Sequence, residues 1–147
     1  MKSLRFLIIP ILVTAVLAQA DDFHVYRDSL RAAYSKGDGE ARLAATEAVA
    51  TFRNLDSTVL LVSFIKPQYA IIEKLLEERE AIRTGRDKSL KGARPEPYLA
   101  SLKERLDLEF KVLAAVEEGF AKLTDVDAIR YLAKTTLPKH KHWKARE

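Results

Sequence analysis

The sequence predicts an all-α fold of about five helices, and three observations carry that prediction. Alanine, leucine, glutamate, lysine and arginine dominate the chain, whereas its 5 glycines and 5 prolines fall in a few clusters. Apolar residues recur at steps of three and four between those clusters. The chain has no cysteine, so a domain of this size is held by packing of helix faces alone.

The first 20 residues read as a secretory leader ahead of the first helix. Lys2 and Arg5 give a positive start, residues 6–17 an apolar stretch, and Ala18-Gln19-Ala20 a small-x-small cleavage site before Asp21-Asp22. The apolar run over residues 6–18 is 13 residues long and holds Pro10 and Thr14. A spanning helix needs about 20 residues, so cleavage after Ala20 is expected rather than a retained anchor. The mature protein is then periplasmic or secreted, with no transmembrane span. Cleavage leaves 127 of the 147 residues, with 23 basic against 21 acidic side chains, a charge of only +2. Bulk charge therefore does not point to a polyanion partner, and export makes nucleic acid an unsuitable one.

The first helix is expected over residues 22–35, capped by Asp21 or Asp22, with Phe23, Tyr26 or Arg27, Leu30 and Tyr34 on one stripe. Gly37-Asp38-Gly39 ends it. A second helix, residues 40–53, carries Leu43, Ala44, Ala48 and Phe52 on a narrow face suited to close approach. Asn54-Leu55-Asp56-Ser57 stops it and restarts the chain, with Asp56 or Ser57 as the next cap.

Residues 58–66 are apolar nearly all round and are expected to be the most buried. Pro67 is expected to kink or break the helix there. A helix over residues 67–84 then buries Ile71, Ile72, Leu75, Leu76 and Ile82. A loop over residues 85–97 follows. The next helix, residues 96–122, carries a heptad-like seam of Leu99, Leu102, Leu106, Phe110, Leu113, Val116 or Glu117, and Phe120. These two helices form a long antiparallel hairpin over residues 67–122. Asp125 caps a last helix, residues 126–136, that buries Val126, Ile129, Leu132 and Ala133. The helical domain thus covers residues 21–138, and residues 139–147 form a basic tail.

Candidate sites are few. Arg83, Arg86, Lys88, Lys91 and Arg94 cluster at the hairpin tip, relieved only by Asp87. They could meet anionic lipid headgroups or cell-wall polymer; the competing reading is a solvated turn. No aromatic residue interleaves them before Tyr98, which argues against base stacking. His140 and His142 form an HxH pair that could take a divalent metal, but Lys139, Lys141 and Lys144 would repel the cation. His24 is a lone imidazole and makes no site.

Glu73, Glu77, Glu80, Glu104, Glu109, Glu117 and Glu118 lie among basic residues at helical spacings and read as a salt-bridged solvated face. The chain has no G-x-S-x-G, H-E-x-x-H, P-loop, G-x-G-x-x-G or paired Glu-x-x-His motif. No enzymatic activity and no cofactor are therefore expected.

Residues 125–147 resemble the first helix, turn and opening of the second helix of a HEAT-type repeat. The matching residues are Val126, Ile129, Leu132 and Ala133, then Trp143-Lys144-Ala145-Arg146. The match departs from the family in its long basic turn over residues 138–142 and in stopping before the second helix. No second copy is found at a fixed period over residues 21–122. The resemblance implies a unit that binds through an extended helical surface and carries no chemistry of its own. Together these features suggest an exported, non-enzymatic interaction or scaffold module of the bacterial cell envelope, monomeric or weakly self-associating, whose partner is another protein.

Overall fold

The computed structural model describes residues 22–36, 39–87 and 94–135. They form an all-α bundle: α1 (residues 22–36), α2 (Gly39–Ala50), α3 (Leu55–Arg83), α4 (Glu96–Ala121) and α5 (Val126–Lys134). There is no strand among the described residues.

The hairpin of α3 and α4 is the spine. At 29 and 26 residues, the two helices are about 43 and 39 Å long at 1.5 Å per residue. The shorter α1–α2 pair covers only one half of it. The core is correspondingly divided. One apolar cluster joins Leu30, Ala45, Val49, Leu61, Ile65 and Val116 across four helices. The other joins Ile72, Leu75, Ile82, Leu102, Leu106 and Leu113 between α3 and α4 alone. The expected α4 seam is present, with Val116 buried and Glu117 exposed.

Two glycines let α2 lie against α4. A Cβ on Gly39 would come within 2.9 Å of Leu108 Cδ2, and a Cβ on Gly119 within 2.8 Å of the Cβ of Ala50. Pairing of 39 with 108 and of 50 with 119 makes α2 parallel to α4.

Four local expectations are corrected. Pro67 does not break the helix: α3 runs through it. Pro67 lies on the exposed side, where water can meet the carbonyl that its missing N–H leaves free, and burial on the opposite side offsets the penalty of about 3 kcal/mol. The cap of α3 is Asn54, which forms a capping box with Ser57; Ser57 Oγ accepts from Asn54 N at 3.1 Å. On α2 the buried residues are Arg42, Ala45, Thr46 and Val49 rather than Leu43 and Ala44, because α4 receives that side. On α5 only Ala128 is buried; Val126 and Ile129 are 58% and 48% exposed. The roll of α5 is set by Asp125, whose Oδ1 caps Asp127 N at 2.9 Å while its Oδ2 accepts from Leu55 N at 3.0 Å.

Candidate functional site

Between the two apolar clusters, four helices each supply one polar side chain to a closed network. Arg42 on α2 donates through Nε to Glu109 Oε2 at 3.3 Å and pairs through Nη2 with Glu109 Oε1. Gln68 on α3 donates through Nε2 to Glu109 Oε2 at 2.7 Å and to the Glu109 carbonyl at 3.0 Å. Tyr34 on α1 donates its hydroxyl to Gln68 Oε1 at 2.9 Å. Its ring stacks on Phe64, centroids 4.3 Å apart, and the Arg42 guanidinium lies 5.8 Å from its centroid. Burial pushes the Tyr34 phenol well above its ordinary range; the Glu109 carboxylate adds to the shift and Arg42 opposes it. Tyr34 therefore stays protonated and serves as a donor.

Both Glu109 oxygens are engaged by neighbours, and Arg42 Nη1 has no hydrogen-bond partner. The network places no free base and no free acid beside solvent. Its chemistry is that of a buried polar clasp across α1, α2, α3 and α4.

Glu109 thus leaves the solvated face to which the sequence assigned it. A strict three–four step along α4 gives Leu102, Leu106, Glu109, Leu113, Val116 and Phe120. The same step along α3 gives Leu61, Ile65, Gln68, Ile72 and Leu75. A charged or amide residue on a seam position was the available signal.

The predicted anion-binding residues lie at the far end of the hairpin. Arg83 closes α3 and donates from Nε and Nη2 to the two carboxylate oxygens of Glu80, each at 2.9 Å. That contact holds the Glu80 carboxyl below its usual range and the Arg83 guanidinium above its own. Gly85, at φ +68°, completes a Schellman turn: its N–H meets the Ile82 carbonyl at 3.1 Å and the Arg86 N–H meets the Ala81 carbonyl at 2.9 Å. Arg86 Nε donates to Thr84 Oγ1 at 2.9 Å, and Arg94 is exposed. Lys88 and Lys91 lie outside the described residues, as do His140 and His142 and the leader at residues 1–20. Of the segment that resembles a HEAT repeat, Val126–Lys134 is helical and residues 136–147 lie outside the description.

The opposite end of the bundle was not singled out by the sequence. Phe23 at the start of α1 meets Phe52 beyond the end of α2 edge-on, centroids 5.2 Å apart, and Tyr26 lies 5.8 Å from Phe52. These rings, with Leu55, Val59 and Leu60 of α3, line an open groove of about 970 Å³. Among the described residues, the large hydrophobic side chains left exposed are Val25, Tyr26, Val59, Val126, Ile129 and Tyr98. All but Tyr98 belong to the first two turns of α1, α3 and α5; Asp125 ties the start of α5 to that of α3, and Phe23 and Tyr26 of α1 meet Phe52 just ahead of α3.

His24 is exposed on the rim of the groove. No group of three or more metal-ligating side chains converges among the described residues. No described helix is long and apolar enough to cross a membrane. No protein-family model, curated protein or solved structure matches the chain.

Proposed function

We propose that this chain is an exported, non-enzymatic interaction module of the bacterial cell envelope that binds a protein through the apolar end of its helical bundle. One observation carries the reading: exposed apolar side chains gather where α1, α3 and α5 begin, beside an open aromatic groove. Scattered exposed hydrophobics need no explanation, but a concentration of them at one place marks an interaction surface. The polar groups that converge in the core bond mainly to one another, Arg42 Nη1 excepted. The leader-like residues 1–20 support export.

A photo-crosslinking residue at Tyr26, in the chain produced from its full sequence in a bacterial host, tests this. We expect one discrete adduct, absent when the crosslinker replaces the exposed Glu104 on the hairpin, and an export-fraction chain that begins at Asp21. Equal adducts at both positions, or retention of the chain in the cytoplasm, overturns the reading.

The alternative is binding of anionic lipid or wall polymer through residues 83–94, and it has less support. Arg83 shares its charge with Glu80 in an exposed pair, and the placement of Lys88 and Lys91 rests on the sequence alone. Metal binding by His140 and His142 rests on the sequence alone.

A further inference from the structure

We infer that the apolar end pairs with a second copy of this chain, the α5 ridge of each copy seated in the α1–α3 groove of the other. The inference rests on the interaction-module reading and names its partner.

Both halves of a complementary contact are present on one chain. The ridge is Val126, Ile129 and Ala133, all exposed, stepping by three and four along one face of α5. It faces outward because Ala128 is the residue of α5 that is buried and because Asp125 is bound to Leu55 N. The groove is lined by residues from 22–31 of α1 and from 55–63 of α3, together with Phe52. Its walls are about 13–15 Å long at 1.5 Å per residue, and the nine residues of α5 span about 13 Å. A short amphipathic helix laid in an apolar groove is a recurrent mode of recognition.

Ridge and groove also border each other. Leu55 lines the groove and holds Asp125, the residue immediately before Val126. Two copies can therefore exchange ridges about a two-fold axis, each residue of one meeting its counterpart's partner in the other, and the contact closes at a dimer. Charge agrees with this arrangement. The ridge is flanked by Asp127 and Arg130, which pair with each other at 3.4 Å. The groove is lined by Arg27 and Arg31 on α1, which pair at the surface with Asp28 at 3.0 and 3.8 Å, and by Asp22 and Asp56. Each sign on the ridge has the opposite sign available on the groove. The existing exposed pairs hold these groups weakly enough to exchange.

Sedimentation of the full chain from micromolar to millimolar concentration tests the pairing. The expected result is a species of twice the monomer mass. Ile129→Glu on the ridge and Val59→Glu in the groove should each weaken association by roughly thirtyfold or more, the effect of a hot-spot residue. Both sites are exposed, so helical circular dichroism should be unchanged; Tyr26→Glu replaces either variant that misfolds. Because the chain has no cysteine, a mixture of Ile129→Cys and Val59→Cys chains gives a second readout. A disulfide joining the two kinds of chain is expected under mild oxidation, in excess of either self-linked product. A monomer at all concentrations, or a dimer indifferent to both substitutions, overturns the pairing. A monomer that still gives a Tyr26 adduct with a different protein overturns the pairing and leaves the module reading standing.

Discussion

Arg42 and Glu109, 67 positions apart in the chain, form an ion pair whose side chains are only 3% and 5% exposed. The pair holds the short α1–α2 layer against the long hairpin at the boundary between the two apolar clusters. Such a pair is not a simple gain in stability. Removing both charges from water costs several kcal/mol each, and the attraction in a low-dielectric interior only offsets that loss. What the pair does strongly is penalise any arrangement in which one member is buried alone. Only one register of α2 against α4 places the guanidinium on the carboxylate with Gly39 beside it. The clasp therefore selects a packing more than it strengthens one.

Single and double replacements should then differ in kind. Glu109→Ala is expected to destabilise the fold by about 3–5 kcal/mol, because it strands a buried guanidinium. Arg42→Met combined with Glu109→Leu should fall within about 1 kcal/mol of the parent or exceed it. Urea unfolding followed by circular dichroism measures both. A double variant as damaged as the single one would show that the ionic contact itself is the main source of stability.

Tyr34 supplies a pH signature. Its phenol ionises near 10.0 when unfolded and at higher pH when folded, chiefly through burial. The folded state therefore keeps its proton where the unfolded state loses it. The contribution of Tyr34 is fully present below pH 10 and is lost as pH rises beyond it, by at most about 1.4 kcal/mol per pH unit. Tyr34→Phe should cost about 1–3 kcal/mol near neutrality, since Gln68 Oε1 loses its donor, and should fall less steeply above pH 10. Parallel unfolding curves of the two proteins from pH 9 to 11 would reject this account.

The hairpin was legible in the sequence because its seam is written in leucines, and a leucine on a three–four step has one simple use. The clasp was not. Arg42, Gln68 and Glu109 occupy seam positions of three different helices, but a reading that follows apolar residues steps past each of them, as it stepped from Leu106 to Phe110. Nothing in one helix says that a charge on its seam will meet an opposite charge 67 residues away. The exposed apolar end was hidden for a related reason. The stripe on α5 was visible, but its direction depends on Asp125 reaching Leu55, a contact between residues 70 apart.

The close passage of α2 over α4 makes Gly119 sensitive to a single methyl group. A Cβ there would lie 2.8 Å from the Cβ of Ala50, and neither stub can rotate away. Gly119→Ala should cost about 1–3 kcal/mol through forced displacement, although alanine is the better helix former by about 1 kcal/mol. Adding Ala50→Gly removes the collision and should recover most of the loss. A thermal-denaturation double-mutant cycle reads the coupling. Additive effects would mean that the helices accommodate the methyl by shifting freely.

Asp125 joins three things through one carboxylate. It caps α5 at Asp127 N and Ala128 N, it satisfies Leu55 N at the first turn of α3, and it thereby fixes which side of α5 faces the bundle. Asp125→Ala removes all three and should cost about 1–2 kcal/mol, the usual size of a lost cap. The loss should be local. Hydrogen exchange should quicken at Leu55 and through α5, while amides around Gln68 keep their protection. Asp125→Asn keeps a single acceptor oxygen, so it can retain the cap or the tie to Leu55 but not both, and should fall between the parent and Asp125→Ala. Because the roll of α5 aims Val126 and Ile129 outward, Asp125→Ala should also weaken association of two copies without altering any side chain of the ridge. If association is untouched while exchange in α5 rises, the ridge does not depend on the orientation that Asp125 imposes, and the contact between copies must lie elsewhere.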